Sequence, residues 1–295
     1  MQWRAPLETT HPTLERVTII MVTYNSAHCL PTQQELLSSC PHITVVDNAS
    51  LDNSIEQAQR SFPWAKVKTM QSNLGFGAAN NLALREAQTE YALLLNPDCE
   101  INSENIIRLV DTADRYPDAA IVAPQLLTAD RRSEINYRWP QLLWRSRGPG
   151  ASAPTCVGFV CGAAMLLRLS AFNGGVFFDE RFYLYYEDDD LCLRLWQQKK
   201  SLIIDPNCIA VHRSRGSVRG PKPWRSEYWR GYHHAQSKLT FTRLHCNPKE
   251  AQTQRRNLIA GTILSLPLRI IFMSPRLVAR MFGRLNGAIN WKHHG

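Results

Sequence analysis

The 295-residue sequence lacks the features of a secreted, membrane-spanning or zinc-binding protein. No uninterrupted apolar run reaches the roughly 20 residues of a transmembrane helix, and residues 1–16 contain no apolar core of a signal peptide. The eight cysteines are scattered without a CxxC or Cys/His ligand spacing, which argues against structural zinc. Such cysteines are typical of a reducing compartment, so we expect a cytoplasmic location.

Glycine is missing where dinucleotide-binding enzymes need it. An apolar run at residues 17–22 predicts a buried first strand, and the loop after it, residues 23–28, reads TYNSAH. The dinucleotide fingerprint GxGxxG belongs in this loop. The later Gly75-Phe76-Gly77 follows another strand and has no third glycine, so the sequence argues against a dehydrogenase.

Acidic residues are nearly absent from the C-terminal third. Residues 211–295 contain 16 lysines and arginines but only 2 acids, whereas residues 1–210 contain 18 basic and 23 acidic residues. A basic segment of this kind can bind nucleic acid. No recognisable nucleic-acid-binding module accompanies it, so we expect no nucleic-acid partner.

Strand and helix patterns alternate at least four times before residue 125. This alternation predicts right-handed βαβ units and a Rossmann-like, doubly wound, mostly parallel α/β sheet. The predicted strands cover residues 17–22, 43–46, 65–70, 91–95 and 119–123.

Three of these strands end in polar residues. The carboxyl ends of parallel strands share one sheet edge, where open α/β sheets bind their ligands, so we expect these residues to line a site. The carboxylate of Asp98 could hold a divalent cation there, although the preference of turns for aspartate explains it better when it is taken alone. The three clusters are Thr23-Tyr24-Asn25, Asp47-Asn48 and Asn96-Pro97-Asp98.

Four consecutive acids at residues 187–190 follow an aromatic run. The apolar residues after them and Lys199-Lys200 predict a helix, whose dipole favours acids in its first turn. Four acids in succession still repel one another unless a cation or a substrate compensates, so we favour a functional role. His212, which ends the last apolar run, is compatible with a structural histidine or with a metal ligand.

Six segments occur in an order that is typical of one enzyme family. They are VTYNS (22–26), VVDNAS (45–50), NLGFGAANN (73–81), LLLNPD (93–98), FDERFYLYYEDDDLCLR (178–194) and AVHRSRGS (210–217). Together they resemble the inverting nucleotide-sugar glycosyltransferases of family 2, particularly the bacterial rhamnosyltransferase-like branch. The resemblance implies a GT-A fold, which we expect as a catalytic domain at residues 1–240 followed by a basic, amphipathic helical extension at residues 241–295.

The resemblance also implies roles for individual residues. Asp98 takes the metal-binding position of the family's DxD motif, and His212 matches a further ligand of Mg²⁺ or Mn²⁺. The motif here reads Asn96-Pro97-Asp98, so it has one carboxylate, which predicts looser metal binding. The nucleotide-binding residues implied are Thr23, Tyr24, Asn25, Asp47 (toward the base), Asn48, Asn73, Gly75 and Asn96.

Glu187 and Asp188 match the ED motif of the family, in which the aspartate is the catalytic base. Asp188 would deprotonate the acceptor hydroxyl during a single displacement that inverts the anomeric carbon. Its acidic neighbours would raise the pKa of Asp188, while a nearby cation would oppose this effect.

The resemblance leaves the substrates open. The donor is plausibly dTDP-rhamnose, and the acceptor a polysaccharide or a lipid-linked saccharide. A UDP-hexose or UDP-N-acetylhexosamine donor is the alternative, and a non-catalytic sugar-nucleotide-binding or membrane-scaffold protein is the alternative from another class.

Three arginines in the extension recur at every fourth residue, so a helix would place them on one face. Arg276, Arg280 and Arg284 could lie on an anionic membrane, which would make the protein peripheral on the inner face of the cytoplasmic membrane. A helix packed on the catalytic domain and a homodimer contact are the alternatives.

Overall fold

The computed structural model describes residues 11–138, 149–214, 216, 223–272 and 275–292, without the side chains at positions 173, 268, 269, 271 and 272. Most of residues 1–16, on which the expectation about a signal peptide rests, lie outside this range. The described residues form two units. The first falls within Met1–Leu74, Ala79–Phe178 and Leu191–Val218, and the second within Gly75–Ala78, Asp179–Asp190 and Arg219–Gly295.

The first unit is built on a nine-stranded sheet. Its strands are β1 (Val17–Thr23), β2 (His42–Asp47), β3 (Lys66–Thr69), β4 (Tyr91–Leu95), β5 (Cys99–Glu100), β6 (Ala119–Leu127), β7 (Thr155–Val157), β8 (Ala164–Arg168) and β9 (Ser201–His212). Their order is β3-β2-β1-β4-β8-β6-β9-β5, with β7 paired to β9. Four helices accompany the sheet, namely α1 (Leu30–Leu36), α2 (Ser54–Ser61), α3 (Phe76–Leu84, which begins in the second unit) and α4 (Ser103–Arg115).

The predicted parallel arrangement is confirmed in strands β3, β2, β1 and β4, which pair in parallel. Strands β1, β2 and β4 are largely apolar runs that are buried along nearly their whole length, as expected of a parallel sheet covered on both sides, whereas the edge strand β3 is partly exposed. Ile19, Val45 and Leu93 are fully buried at its centre. Thr23 and Asp47 are paired at the carboxyl ends of β1 and β2, so the predicted polar edge exists.

The sheet reverses at β8, which is antiparallel to both of its neighbours, β4 and β6. The strand pattern of the sequence does not indicate this reversal. Strand β9 then runs parallel to β6 and antiparallel to the two-residue β5. The last pairing places His212 opposite Cys99, immediately after Asp98.

The second unit is mainly helical. It contains α6 (Pro223–His245), α7 (Pro248–Phe272) and α8 (Pro275–Ile289), and the boundary between the units lies inside α5 (Glu187–Gln197), after Asp190. Residue 241, where we expected the extension to begin, lies within α6. Among the described residues, no helix combines the length and the apolarity that crossing a bilayer requires.

Helices α6 and α8 pack with their backbones in contact. A Cβ added to Gly283 would overlap the carbonyl oxygen of Tyr228, and one added to Gly231 would overlap that of Arg280. Gly287 meets the backbone of Tyr232 in the same way. Only glycine fits at these positions, because any side chain would force the two helices apart.

Candidate active site

The turn after β4 holds Asp98 in a fixed position. Its ends are closed by the N–H of Cys99, which donates to the carbonyl oxygen of Asn96 at 2.9 Å. Gln33, fully buried on α1, donates through Nε2 to the carbonyl oxygens of Pro97 and Cys99, both at 2.9 Å. Asp98 is only 4% exposed as a result.

Asp98 and His212 form a carboxylate–imidazole pair. His212 Nε2 lies 3.7 Å from Asp98 Oδ1, and the two side chains are 14% and 3% exposed. Two backbone N–H groups also reach Asp98, that of Gly216 to Oδ2 and that of Arg213 to the carbonyl oxygen, both at 2.9 Å. A carboxylate oxygen and an imidazole nitrogen are donors that suit Mn²⁺ or Mg²⁺, so this pair fits the expected cation.

No group of three or more His, Cys, Asp or Glu side chains that could hold a metal occurs among the described residues. A cation bound by Asp98 and His212 would therefore have to take most of its ligands from water or from a bound molecule.

The ends of β1 and β2 are tied together by polar side chains. Thr23 Oγ1 donates to Asp47 Oδ1 at 3.0 Å, and the N–H of Ser50 donates to Oδ2, also at 3.0 Å. Thr23 and Asp47 are both buried. Asn25 has a φ of +53° and accepts a hydrogen bond from the N–H of Leu51 at 2.7 Å, which fixes the loop that follows β1.

A second amide pair continues this edge beyond β3. Asn48 Nδ2 donates to Asn73 Oδ1 at 3.0 Å, and the N–H of Leu74 donates back to Asn48 Oδ1 at 2.8 Å. Tyr24 is half-buried beside Thr23. The structure therefore brings six of the implied nucleotide-binding residues to the carboxyl edge of β1–β3, while Asn96 lies at the end of the adjacent β4.

Gly75 belongs to the second unit, where it has a packing role. Its φ is +88°, and a Cβ there would overlap the carbonyl oxygen of Tyr183. The N–H of Phe76 donates to that same oxygen at 3.0 Å. Gly75 thus lets the start of α3 lie against the aromatic run that precedes the four acids.

The four acids begin α5 after a strained stretch of backbone. Tyr185 and Tyr186 have φ values of +71° and +66°, a left-handed conformation that costs on the order of 1–3 kcal/mol per residue for a side chain of this size. Glu187 follows and is 6% exposed. Its Oε2 has no hydrogen-bond partner among the described residues. Burial, and then the charge of Asp188, raises the pKa of Glu187 well above its ordinary value.

The other acids lie in different surroundings. Asp188 is half-buried, and its Oδ1 accepts a hydrogen bond from the N–H of Asp189 at 3.0 Å. Asp190 is buried and lies 2.8 Å from Nε2 of His245, at the end of α6. Asp188 is thus the more open of the two acids that match the ED motif.

Aromatic residues of α6 pack along the segment that leads to these acids. The ring of Tyr183 stacks on His233 at 4.1 Å between centroids, and Trp229 also stacks on His233, at 5.8 Å. Trp229 is 45% exposed. Burial lowers the pKa of His233 to about 4, so the central ring of this stack is neutral at physiological pH.

Sequence reasoning missed two residues that contact the Asp98 turn, Gln33 and Gly216. Gly216 lies inside a quoted segment, AVHRSRGS, but nothing in that pattern indicates a contact with Asp98. Gln33 lies in a short helix between the polar residues Thr32 and Gln34, so the local sequence does not indicate that it is buried. Such contacts depend on side-chain positions that no local pattern encodes.

A family model described as "Glycosyl transferase family 2" matches residues 18–173, which is more than half of the chain. An N-acetylglucosaminyl-diphospho-decaprenol L-rhamnosyltransferase of Mycobacterium tuberculosis is 24% identical over 209 residues, or 60% of this chain and 67% of that protein. The low-salt glycan biosynthesis hexosyltransferase Agl10 of Haloferax volcanii is 28% identical over 197 residues, or 61% of this chain and 62% of that protein.

Among solved structures, the chain is similar to the mannosyltransferase PcManGT of Pyrobaculum calidifontis, which was solved in complex with GDP-Man and Mn²⁺. The TM-score is 0.55 at 15% sequence identity, and the match covers 93% of this chain and 86% of that one.

Proposed function

The chain belongs to glycosyl transferase family 2, and from this premise we propose a metal-dependent, inverting enzyme that moves a sugar from a nucleotide-diphospho-sugar to a hydroxyl of a saccharide. Its sheet and its structural relatives give it the GT-A fold that the resemblance implied. One observation carries the proposal. The buried pair Asp98–His212 lies at the carboxyl edge of the sheet, beside the strand ends that carry the implied nucleotide-binding residues.

Asp98 and His212 would hold Mg²⁺ or Mn²⁺, which when bound supplies positive charge against the donor's diphosphate. Asp98 is kept in place for this by the N–H of Gly216 and by the turn that Gln33 supports. Thr23, Asn25 and the residues paired with them would form the nucleotide side of the site.

Asp188 would act as the base. It removes the proton of the acceptor hydroxyl while that oxygen attacks the anomeric carbon, and the bond to the diphosphate breaks on the opposite face. Inversion follows from this geometry. Burial raises the pKa of Glu187, which favours the neutral form of its carboxyl beside Asp188.

The relatives support a rhamnosyl donor, and we propose dTDP-rhamnose with a lipid-linked saccharide or polysaccharide acceptor. The hexosyltransferase relative keeps a UDP-hexose or UDP-N-acetylhexosamine donor as the alternative. The exposed face of Trp229 offers the acceptor sugar an aromatic surface, as sugar-binding sites commonly do.

The test is a transfer assay with the full chain, a panel of nucleotide sugars and a saccharide acceptor, with and without Mn²⁺. We expect donor consumption that requires the cation and an NMR coupling constant in the product that shows inversion at the anomeric carbon. Retention would contradict the single displacement. Full activity in a chelator would contradict the metal.

We also propose that the second unit docks on an anionic membrane surface. Apolar side chains are exposed on α7, where Ile263 is 54% and Leu264 79% exposed, within a segment that carries almost no acid. The arginine face of α8 is partly used inside the unit, since Arg280 lies 3.7 Å from Glu227. This ion pair supports packing, the first alternative, at Arg280.

Flotation with anionic liposomes tests this docking. Leu264→Asp should lower the bound fraction, whereas Leu51→Asp, at a leucine of the first unit that is 92% exposed, should leave it unchanged. A wild-type chain that sediments as a dimer and does not float would favour the homodimer contact instead.

A further inference from the structure

We infer that His28 is a positioning residue for the cation site, because it holds the backbone of Gly216 against Asp98. The inference rests on the proposed function, since it concerns the ligand Asp98. It assigns a role to a residue that lies outside every implied nucleotide, metal or catalytic position.

Two hydrogen bonds connect His28 to Asp98 through one residue. His28 Nε2 lies 2.7 Å from the carbonyl oxygen of Gly216, and the N–H of Gly216 donates to Asp98 Oδ2 at 2.9 Å. A carbonyl oxygen only accepts, so Nε2 of His28 carries the proton in this contact.

The close approach of Gly216 leaves no space for a side chain. A Cβ there would lie 2.6 Å from the carbonyl oxygen of Arg213 and 3.3 Å from Cβ of Asp98. The N–H of Gly216 also donates to the Arg213 oxygen, at 2.7 Å. Gly216 therefore lies directly against the carboxylate, and its N–H is aimed at one of the two carboxylate oxygens.

The segment after β9 is anchored at two points. Arg213 fixes its beginning, because its N–H donates to the Asp98 carbonyl oxygen and its guanidinium pairs with Glu100 at 2.5 Å. His28, in the short 3₁₀ helix Ala27–Cys29 after β1, fixes Gly216. Sγ of Cys29 lies 3.8 Å from the same Gly216 oxygen, a weaker contact.

These contacts hold the Asp98 carboxylate in one orientation. With Oδ2 engaged by a backbone N–H, Oδ1 is the atom that faces His212, at 3.7 Å. Partners that orient a metal ligand in this way typically change metal affinity by about 10–100-fold when they are removed. The effect on Mn²⁺ affinity should be large here, because a site with a single carboxylate binds the cation weakly.

The test measures Mn²⁺ binding to the full chain by electron paramagnetic resonance, in the absence of any nucleotide sugar. His28→Ala should raise the Kd for Mn²⁺ by about 10–100-fold. His28→Gln, whose amide still carries an N–H donor, should return the Kd close to that of the wild type. His42→Ala is the matched control, since this exposed histidine lies at the other end of the sheet with Glu15 as its partner and should leave the Kd unchanged.

Kinetics separate positioning from catalysis. In the transfer assay, His28→Ala should raise the Mn²⁺ concentration for half-maximal rate by the same factor, while kcat at saturating Mn²⁺ stays near the wild-type value. An unchanged Kd, a lack of rescue by glutamine, or a kcat loss that saturating Mn²⁺ does not restore would overturn the role of His28. If the wild-type chain binds no Mn²⁺ at all, the proposed cation site itself fails.

A second variant addresses the same contact from its other side. Gly216→Ala should weaken Mn²⁺ binding as His28→Ala does, because its Cβ pushes the backbone away from Asp98. Gly150→Ala is its control, since a Cβ at Gly150 meets no atom within 4 Å. If Gly216→Ala and Gly150→Ala bound Mn²⁺ with the same Kd, the inference would be contradicted, even if His28→Ala failed to fold.

Discussion

Two buried acids in the two units are held in opposite ways. Asp98 of the first unit receives a backbone N–H and faces an imidazole, so its surroundings offer what a carboxylate accepts. Glu187 of the second unit is buried, has one oxygen without a hydrogen-bond partner among the described residues, and lies beside another acid. Burial, and then the charge of Asp188, favours the neutral form of the Glu187 carboxyl.

The units also differ in how they place these acids. The first uses a ladder of backbone hydrogen bonds, which sets Asp98 beside His212 through the β5–β9 pairing. The second uses packed rings and a left-handed pair of tyrosines. We therefore expect mutations in the two units to have different effects.

The largest effect should come from exchanging one acid in each unit. Asp188→Asn should lower kcat by about 10²–10⁴-fold, the usual contribution of a general base, and leave the Kd of the donor unchanged. Asp98→Ala should weaken donor binding as well, because it removes a ligand of the cation. Calorimetric titration with the nucleotide sugar and initial rates measure the two quantities.

Near-wild-type turnover in both variants would remove the mechanism. Loss of donor binding in Asp188→Asn would instead contradict the proposal that Asp98 serves donor binding and Asp188 only the reaction.

A smaller effect, on the free energy of unfolding, should distinguish the two units. Gly283→Ala should destabilise the α6–α8 packing by about 1–3 kcal/mol, because its Cβ has no room against Tyr228. Gly261→Ala, in α7 with open space around its Cβ, should instead stabilise by about 0.5–1 kcal/mol. Thermal unfolding gives both values.

Hydrogen exchange tells which unit responds to Gly283→Ala. Faster exchange in α6 with unchanged exchange in β1 is expected. Equal acceleration in both would mean that the units unfold as one.

The smallest effect concerns the proton on Glu187. Below its ordinary pKa of 4.5 the folded and unfolded states are both protonated. As the pH rises above this value the unfolded state loses the proton while the folded state keeps it, so the stability falls with pH until the raised pKa is reached. Glu187→Gln cannot ionise, so its gain in unfolding free energy over the wild type should grow from pH 4.5 upwards.

Urea unfolding at several pH values measures this gain. Glu104→Gln, at an exposed acid of the first unit paired with Arg108, should show no comparable trend. A gain independent of pH would mean that Glu187 is not held neutral.

The sequence predicted the first unit better than the second for a physical reason. Continuous apolar runs and helix caps are local signals, as at the start of α4, where Asn102 accepts a hydrogen bond from the N–H of Asn105 at 3.0 Å. Strand β9, by contrast, continues through Asp205 and Pro206 because a shift in register at Pro124–Gln125 absorbs the residues around Pro206. Bulges of this kind depend on the neighbouring strand.

The candidate site was predictable as residue types rather than as contacts. Asp98 and His212 were named from a resemblance, and the structure places them 3.7 Å apart. Gln33 and His28 form hydrogen bonds with residues that are 64 and 188 positions away in the sequence. No periodic sequence pattern indicates contacts at such separations. The burial of Glu187, which raises the pKa of its carboxyl, is likewise visible only in the folded chain.

The two-residue strand β5 has a consequence for the order in which the protein matures on the ribosome. Asp98 is synthesised more than a hundred residues before His212, and the two meet only when β9 pairs with β5. A nascent chain that ends before residue 201 contains Asp98 without His212. In the proposed function, a cation could therefore bind to this pair only late in synthesis, and it would stabilise only chains in which β9 has already paired with β5.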